Sequence, residues 1–532
     1  MPPLRSLLPA ACAPARALLA AGPLACLAAA SAPLAAQAAP STLRAQQLRA
    51  ALPRVDSLLQ AFAARSRVPA IAYGVVVDGR LLHVAAAGVR DVPAALPVDT
   101  GSVFRIASMS KSFAAAAILQ LRDAGRLRLD DPAERYVPEL AMLRYPTTDA
   151  PKITVRHLLT HSAGFPEDNP WGDQQLAATE AALSGMVRAG IPFSTAPGTA
   201  YEYSNLGFAL LGRIVRNVSG MPYARYLRER ITGPLGMGST FLEARDVPAA
   251  RLVKGYRLED GGWREEPPLA DGSFGAMGGM LTSAADLSRW VAFLLDAFPA
   301  RDGADSPVLS RASRREMQQL ARFGSASAVR GADGVPVLAA GGYGYGLRVS
   351  ATCLSGHVVA HSGGLPGFGS LMQWLPEAGV GIIAMGSLTY TSWGTPVSQA
   401  LALLAETGGT APRAPVPSPA LVAMQQQVTA LVQEWRQPLA DSVAAMNLFL
   451  DESAPRRAAA IARLRDAAGG ACRAEGPLVA ENALRGEWTI RCATGALRVA
   501  ITLAPTARPG VQFLAVRPMA AGETLEKPRS CR

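Results

Sequence analysis

A chain of 532 residues is too long for one ordinary domain, and two or three are expected. Hydrophobic residues make up 49% and charged residues 17%, a balance that supports large buried cores and excludes disorder driven by excess charge. The net charge of +11 comes from scattered arginines with only 6% aromatics, so nucleic acid is not an expected partner.

At the amino terminus, Arg5 and Arg16 precede an uncharged, alanine- and leucine-rich run over 17–36, and Ala36-Gln37-Ala38 offers an A-x-A-like cleavage site. Residues 1–38 therefore read as a signal peptide, and the protein as exported, periplasmic or secreted. Two alternatives stay open. One is an uncleaved membrane anchor, against which Pro23 and Pro33 weigh; the other is lipid attachment at Cys26. Membrane association is expected only if the leader is uncleaved or lipidated.

Residues 45–405 alternate strand and helix patterns. Apolar runs at 71–77 and 81–85 flank Asp78-Gly79-Arg80 as a hairpin. The stretch 111–124 is helical by its alanines and its Ile118, Leu119 and Leu121 face, and Gly125 ends it. A middle rich in Pro and Gly follows, with helices and loops. Strand-like patterns return at 343–350, 357–361, 371–375 and 380–385. Strands at both ends of a helical middle predict an α/β (α+β) unit: one antiparallel sheet whose chain ends meet, with a helical subdomain inserted.

Residues 406–419 read as a proline-rich, semi-rigid linker, and residues 420–532 as a small α+β domain. Its helical patterns cover 420–451 and 456–468, and its strands 488–492, 497–503 and 511–516. Nothing in it carries visible chemistry, so its role is open. Of six cysteines, Cys12 and Cys26 lie in the leader. Among the rest, Cys472–Cys492 is the favoured pair in an oxidising compartment, and burial as small apolar side chains is the alternative.

Only four lysines contribute to a Lys+Arg total of 52, and one stands in FRIASMSKSF at 104–113. Ser108 and Lys111 are three apart, which places both on one face of a helix that starts there. A serine hydroxyl is a weak nucleophile until a base takes its proton. Lysine in apolar surroundings can serve as that base, and arginine cannot. Phe104, Ile106, Met109 and Phe113 supply such surroundings. S-x-x-K alone is a weak signal, but two further motifs follow in order. They are Tyr203-Ser204-Asn205 and His361-Ser362-Gly363-Gly364.

This ordered trio resembles the serine β-lactamase and penicillin-binding-protein superfamily. The fuller match is to its class C β-lactamase, D-alanyl-D-alanine carboxypeptidase and D-aminopeptidase branch. Supporting phrases are ITVRHLLTHSAG at 153–164 and GGMLTSAAD at 278–286, and the resemblance covers about residues 45–400. It implies a β-lactamase/transpeptidase-like fold with helices on both faces of the sheet. Ser108 would be the acylated nucleophile, Lys111 its proton acceptor and Tyr203 a second proton-transfer group. Asn205 would bind the acyl side chain of the substrate, and the N–H groups of Ser108 and Gly364 would form the oxyanion hole. Whether Lys111 or Tyr203 takes the first proton stays open.

Members of this superfamily usually carry Lys-Thr-Gly where this chain has His361-Ser362-Gly363. A lysine there is a permanent cation able to hold a substrate carboxylate. Histidine ordinarily titrates near about 6.5 and is mostly neutral at neutral pH. Carboxylate recognition by His361 should therefore weaken, unless it stays protonated or a nearby arginine substitutes. The H-x-G variant is more similar to D-aminopeptidase and esterase-like members, so ester or amide hydrolysis is expected to exceed β-lactam hydrolysis. The expected substrate is a small molecule or peptide, cell-wall derivatives included. The competing class of function is a penicillin-recognising or cell-wall-binding receptor that acylates without turnover. No cofactor is implied. His157 and His161 share the i,i+4 spacing of helical zinc sites, but Leu158 stands where a metalloprotease needs glutamate, so no metal is expected.

Overall fold

The computed structural model describes residues 42–330, 336–353 and 355–525. The signal-peptide expectation for residues 1–38 lies outside them. In chain order the strands of the first unit are β1 (Ala70–Val77), β2 (Arg80–Asp91), β3 (Leu96–Pro97), β4 (Val103–Arg105), β5 (Tyr256–Glu259), β6 (Gly262–Glu265) and β7 (Leu281–Ser283). They continue as β8 (Arg322–Arg330), β9 (Pro336–Tyr343), β10 (Arg348–Thr352), β11 (Gly356–Leu365), β12 (Phe368–Leu375) and β13 (Val380–Gly386). Nine of them form one sheet in the order β3-β2-β1-β13-β12-β11-β10-β9-β8, and each neighbouring pair is antiparallel. Because β1 pairs with β13, the two ends of the unit meet inside the sheet, and the residues between β3 and β8 form the inserted helical part.

The chemistry of β1 explains this central position. All eight of its residues are buried, as expected of a strand covered on both faces. Ile71, Tyr73, Val75 and Val77 point to one face, where the helices Thr42–Arg65 and Gly394–Ala405 supply Leu48, Val55, Val397 and Leu404. Ala70, Ala72 and Val76 point to the other, into the core built around Phe113, Trp290 and Leu294. There Phe113 stacks on Trp290 with ring centroids 3.9 Å apart. The Trp290 indole N–H donates to Ser112 at 2.9 Å, which ties the helix Ala284–Leu295 to the helix Ser110–Asp123.

The Asp78-Gly79 turn is present, with φ of 44° and 79° at its two residues. Such angles suit aspartate and glycine and give the hairpin the twist its strands need. The single strand expected over 343–350 is instead the end of β9, a turn and the start of β10. Gly346 sits in that turn at φ 67°, and a Cβ on it would lie 2.6 Å from the Lys111 carbonyl. Backbone contact with the Lys111 helix therefore breaks the strand, a constraint that apolar alternation does not reveal.

The carboxy-terminal residues form a separate four-stranded antiparallel sheet of β14 (Arg473–Asn482), β15 (Arg485–Arg491), β16 (Ala496–Leu503) and β17 (Val511–Pro518). Trp488, Ile490, Val499 and Ile501 pack there against Leu421, Val428 and Ile461. The helical pattern over 420–451 resolves into Pro419–Gln433, Gln437–Val443 and Leu448–Asp451. Pro438 has no N–H for a continuous helix, which accounts for the first break. β14 escapes the sequence pattern because Gly476-Pro477 interrupts it and its first five residues are exposed on an edge. Cys472 and Cys492 form a disulfide that closes a loop with a sequence separation of 20. Replacing both by alanine should cost this domain about 3 kcal/mol through the entropy of the unfolded loop. A denaturant titration followed by Trp488 fluorescence checks this, and an unchanged midpoint would refute it. Among the described residues no helix is long and apolar enough to cross a membrane.

Candidate active site

Ser108 lies in a short 3-10 turn, Ala107–Met109, that runs directly into the helix Ser110–Asp123. Ala107 adopts φ 49°, a left-handed conformation unusual for a residue with a Cβ. The surroundings hold it there. Ser110 donates to the Ala107 carbonyl at 2.7 Å and accepts the Met280 N–H at 3.1 Å, while Ser370 donates to the Ile106 carbonyl at 2.8 Å. Ser112 donates to Met109 at 2.8 Å. Ser110 and Ser112 thus bind backbone, and the hydroxyl of Ser108 faces two side chains instead, Lys111 and Tyr203.

Lys111 is completely buried. Its Nζ lies 2.7 Å from Asn205 Oδ1, 2.8 Å from the Met277 carbonyl and 3.1 Å from Ser108 Oγ. The first two partners can only accept, so they take two N–H bonds. In the neutral amine the remaining position is a lone pair directed at the Ser108 hydroxyl. Desolvation pulls the ammonium down to about 7, against the opposing fields of Asp168 and Asp173, and Arg348 lowers it further. The rings of Tyr203 and Phe208, 4.8 and 5.5 Å from Nζ, form part of the apolar wall. Burial raises the pKa of the Tyr203 phenol, against the lowering effect of the nearby Ser108 hydroxyl, so it keeps its proton.

The helix Asn205–Ser219 positions the second motif. Ser204 caps it by accepting the Gly207 N–H at 3.2 Å. Asp168 adds a carboxylate at the same helix start, accepting the N–H groups of Asn205 at 2.6 Å and Leu206 at 2.8 Å. This anchor was not read from the sequence, because nothing local links position 168 to 205. The resemblance implies that Asn205 contacts substrate, whereas here its amide is engaged within the protein. Its oxygen accepts from Lys111 and its nitrogen donates to Asn169 at 2.5 Å. In this structure Asn205 holds the lysine.

His361, at 1% exposure, belongs to the wall behind Tyr203. Its Nδ1 lies 2.6 Å from the Ser362 carbonyl and must donate, so Nε2 accepts the Tyr343 hydroxyl at 2.6 Å. Burial first, then Lys111 and Arg348, hold its pKa well below the usual histidine range. The ring is neutral and both nitrogens are occupied. Ser362 follows on the exposed side of β11. Gly363 faces inward, where a Cβ would lie 2.1 Å from the Ile106 carbonyl, so its glycine lets β11 press against the serine turn. Gly364 comes next, with the ring of Tyr390 so close that a Cβ would lie 2.6 Å from it.

Neither histidine of the i,i+4 pair is arranged as a metal ligand. His157 Nδ1 accepts the Thr154 N–H at 3.3 Å, and His161 Nδ1 accepts the Ser204 N–H at 3.0 Å. His161 packs its ring 4.2 Å from that of Tyr203. Among the described residues no group of three His, Cys, Asp or Glu side chains could hold a metal ion.

Two further charged groups border the site. Arg348, on β10, brings its guanidinium 5.8 Å from the Tyr203 ring, and its charge is also felt at Tyr201. Asp173, at 1% exposure, accepts the Tyr390 hydroxyl through Oδ2 at 2.8 Å. Burial lifts its carboxyl to about 6. Sequence reasoning missed both, since neither belongs to a motif. A cavity of about 640 Å³ lies on the carboxy-terminal sheet, lined by Arg485, Glu487, Arg498, Thr502 and Phe513 among others.

Comparison with known proteins follows the same outline. A family model described as Beta-lactamase matches residues 55–406. "Penicillin-binding protein 4" of Amycolatopsis lactamdurans is 34% identical over 259 residues, covering 47% of this chain and 65% of that protein. "Protein flp" of Staphylococcus aureus (strain COL) is 26% identical over 341 residues, 63% of each chain. The chain thus spans just under two thirds of the length of these relatives. In fold, it is similar to an octameric penicillin-binding protein homologue from Pyrococcus abyssi, with TM-score 0.56 and 21% identity over 88% of this chain and 90% of the other.

Proposed function

The chain belongs to the beta-lactamase family, and on that premise we propose that it is an exported serine hydrolase of the H-x-G, D-aminopeptidase-like kind, acting through an acyl-enzyme on Ser108. One observation carries this reading: a buried lysine whose pKa falls to about 7, with its Nζ 3.1 Å from the serine oxygen. Neutral Lys111 accepts the Ser108 proton as Oγ attacks the substrate carbonyl. Tyr203, whose pKa is raised, is the donor rather than the first base, and gives its proton to the leaving amine or alcohol before recovering one from Lys111. The N–H groups of Ser108 and Gly364 receive the developing oxyanion. Water then attacks the acyl-enzyme, releasing the carboxylic acid and free Ser108.

The substrate is an amide or ester of small-molecule or peptide type. Neutral His361 cannot act as the cation that holds a carboxylate, and Arg348, on the neighbouring strand, is the arginine that substitutes, with the exposed Ser362 as a hydroxyl donor. Arg348→Gln should raise KM about 10- to 100-fold for a D-alanyl-D-alanine peptide. It should leave the peptide's amidated form nearly unaffected. Equal effects on both forms would remove the carboxylate argument.

The overall test exposes the protein to a fluorophosphonate, with mass spectrometry to locate the adduct. A substrate panel of a p-nitrophenyl ester, a D-alanyl anilide and a chromogenic cephalosporin follows. Labelling at Ser108 with faster ester or anilide turnover is expected. Fastest turnover of the cephalosporin would overturn the substrate assignment, and a stable adduct without any turnover would favour a receptor.

A further inference from the structure

Asp168 and Asp173 both act electrostatically on Lys111, yet only Asp168 has a structural task that accounts for it. Among the described residues Asp173 caps no helix through its side chain and pairs with no cation. Its Oδ2 accepts the Tyr390 hydroxyl, while Oδ1 is buried without a hydrogen-bond partner among the described residues. A buried carboxylate oxygen without a donor is unfavourable by an amount comparable to a lost charged hydrogen bond.

Its position ties it to the reaction site. The preceding residue, Gly172, lies directly on Asn205, where a Cβ would approach the Asn205 Cβ to 2.7 Å. Tyr390, the partner of Asp173, lies over Gly364 and adopts φ 52°, a strained backbone for a tyrosine. Asp173 therefore stands between the Asn205 side of the cleft and the Gly364 end of β11, and its charge is felt at Tyr203 and Lys111. The cations of the site cannot neutralise it by contact, because Lys111 is held by Ser108, Asn205 and Met277.

We infer that Asp173 is a specificity-determining residue that recognises a protonated primary amine on the acyl half of the substrate, with its unpartnered Oδ1 accepting an ammonium N–H. The inference rests on the serine hydrolase reading above and narrows its substrate class. Tyr390 donates to the other oxygen, so Oδ1 is the one left to accept from substrate. Arg348 stands beside Tyr203, so a substrate with an amine on its acyl half and a carboxylate on its leaving half meets complementary charges at both ends.

The test uses two substrates that differ only in this amine, D-alanyl p-nitroanilide and its N-acetyl derivative. Wild type should favour the free amine in kcat/KM by about 10- to 100-fold, the scale of one hydrogen bond to a charged group. Asp173→Asn should bring that ratio close to one, and Asp173→Glu should restore part of it. Tyr390→Phe, which leaves Asp173 in place, should keep the preference, so the idea stays testable if Asp173→Asn does not fold. An unchanged ratio in Asp173→Asn, or a ratio that collapses in Tyr390→Phe, would overturn the assignment. Fluorophosphonate labelling of Ser108 separates the two readings. A wild type that labels but does not discriminate refutes the amine site and leaves the hydrolase standing. A wild type that neither labels nor turns over refutes both.

Discussion

Ser108→Ala should abolish the covalent adduct and lower turnover about 10⁶-fold, the scale seen when a nucleophilic serine is removed. No neighbour can replace it. Ser110 and Ser112 are close in sequence, but their hydroxyls are spent on the carbonyls of Ala107 and Met109. Ser108 braces no backbone through its side chain, so the variant should fold with an unchanged melting temperature. Intact-protein mass spectrometry after fluorophosphonate treatment reads the outcome. A full-mass adduct on Ser108→Ala would place the nucleophile elsewhere.

Lys111→Arg should lower kcat/KM about 10²- to 10⁴-fold, the usual contribution of a positioned general base. Arginine would retain a cation in the same pocket but could not give up its charge. In wild type the neutral amine is the active form, so activity should rise with pH through about 7, the value to which desolvation brings Lys111. The arginine variant should lack that rising limb. Persistence of the limb would assign it to another group. The same shift bears on stability. The folded pKa lies below the unfolded value of 10.5, so the unfolded chain binds more protons between about 7 and 10.5. Stability should therefore rise with pH across this window. Lys111→Met, which removes the buried amine, should melt higher than wild type at pH 7 while losing activity, a trade between stability and function.

Much of the fold was legible because its strands and helices are locally consistent. The apolar runs at 71–77 and 380–385 could be read as strands of one sheet whose chain ends meet, and the structure pairs them, Val77 opposite Val380 and Ile71 opposite Gly386. The break at 344–347 was not legible, because Gly346 turns there against the Lys111 carbonyl, a contact made across more than 200 positions of sequence. Asp168, Asp173 and Arg348 were invisible for the same reason. A carboxylate that caps a helix 37 residues away looks locally like any loop aspartate.

The sequence by itself determined the kind of chemistry: Ser108 and Lys111 stand three positions apart, and only a residue able to lose its charge can activate a serine at that distance. It also determined that His361 would be a poor substitute for a permanent cation, since an imidazole ordinarily titrates near neutrality. Tertiary structure alone decided how each group behaves. Burial among Tyr203, Phe208 and Met277 brings the lysine into range as a base while it keeps Tyr203 protonated. Packing of β10 against β11 sets Arg348 beside a neutral His361, and a loop contact leaves one oxygen of Asp173 without a donor. The reason is physical: desolvation and charge proximity depend on distances in space, which sequence spacing encodes only within a single turn of helix or a single hairpin.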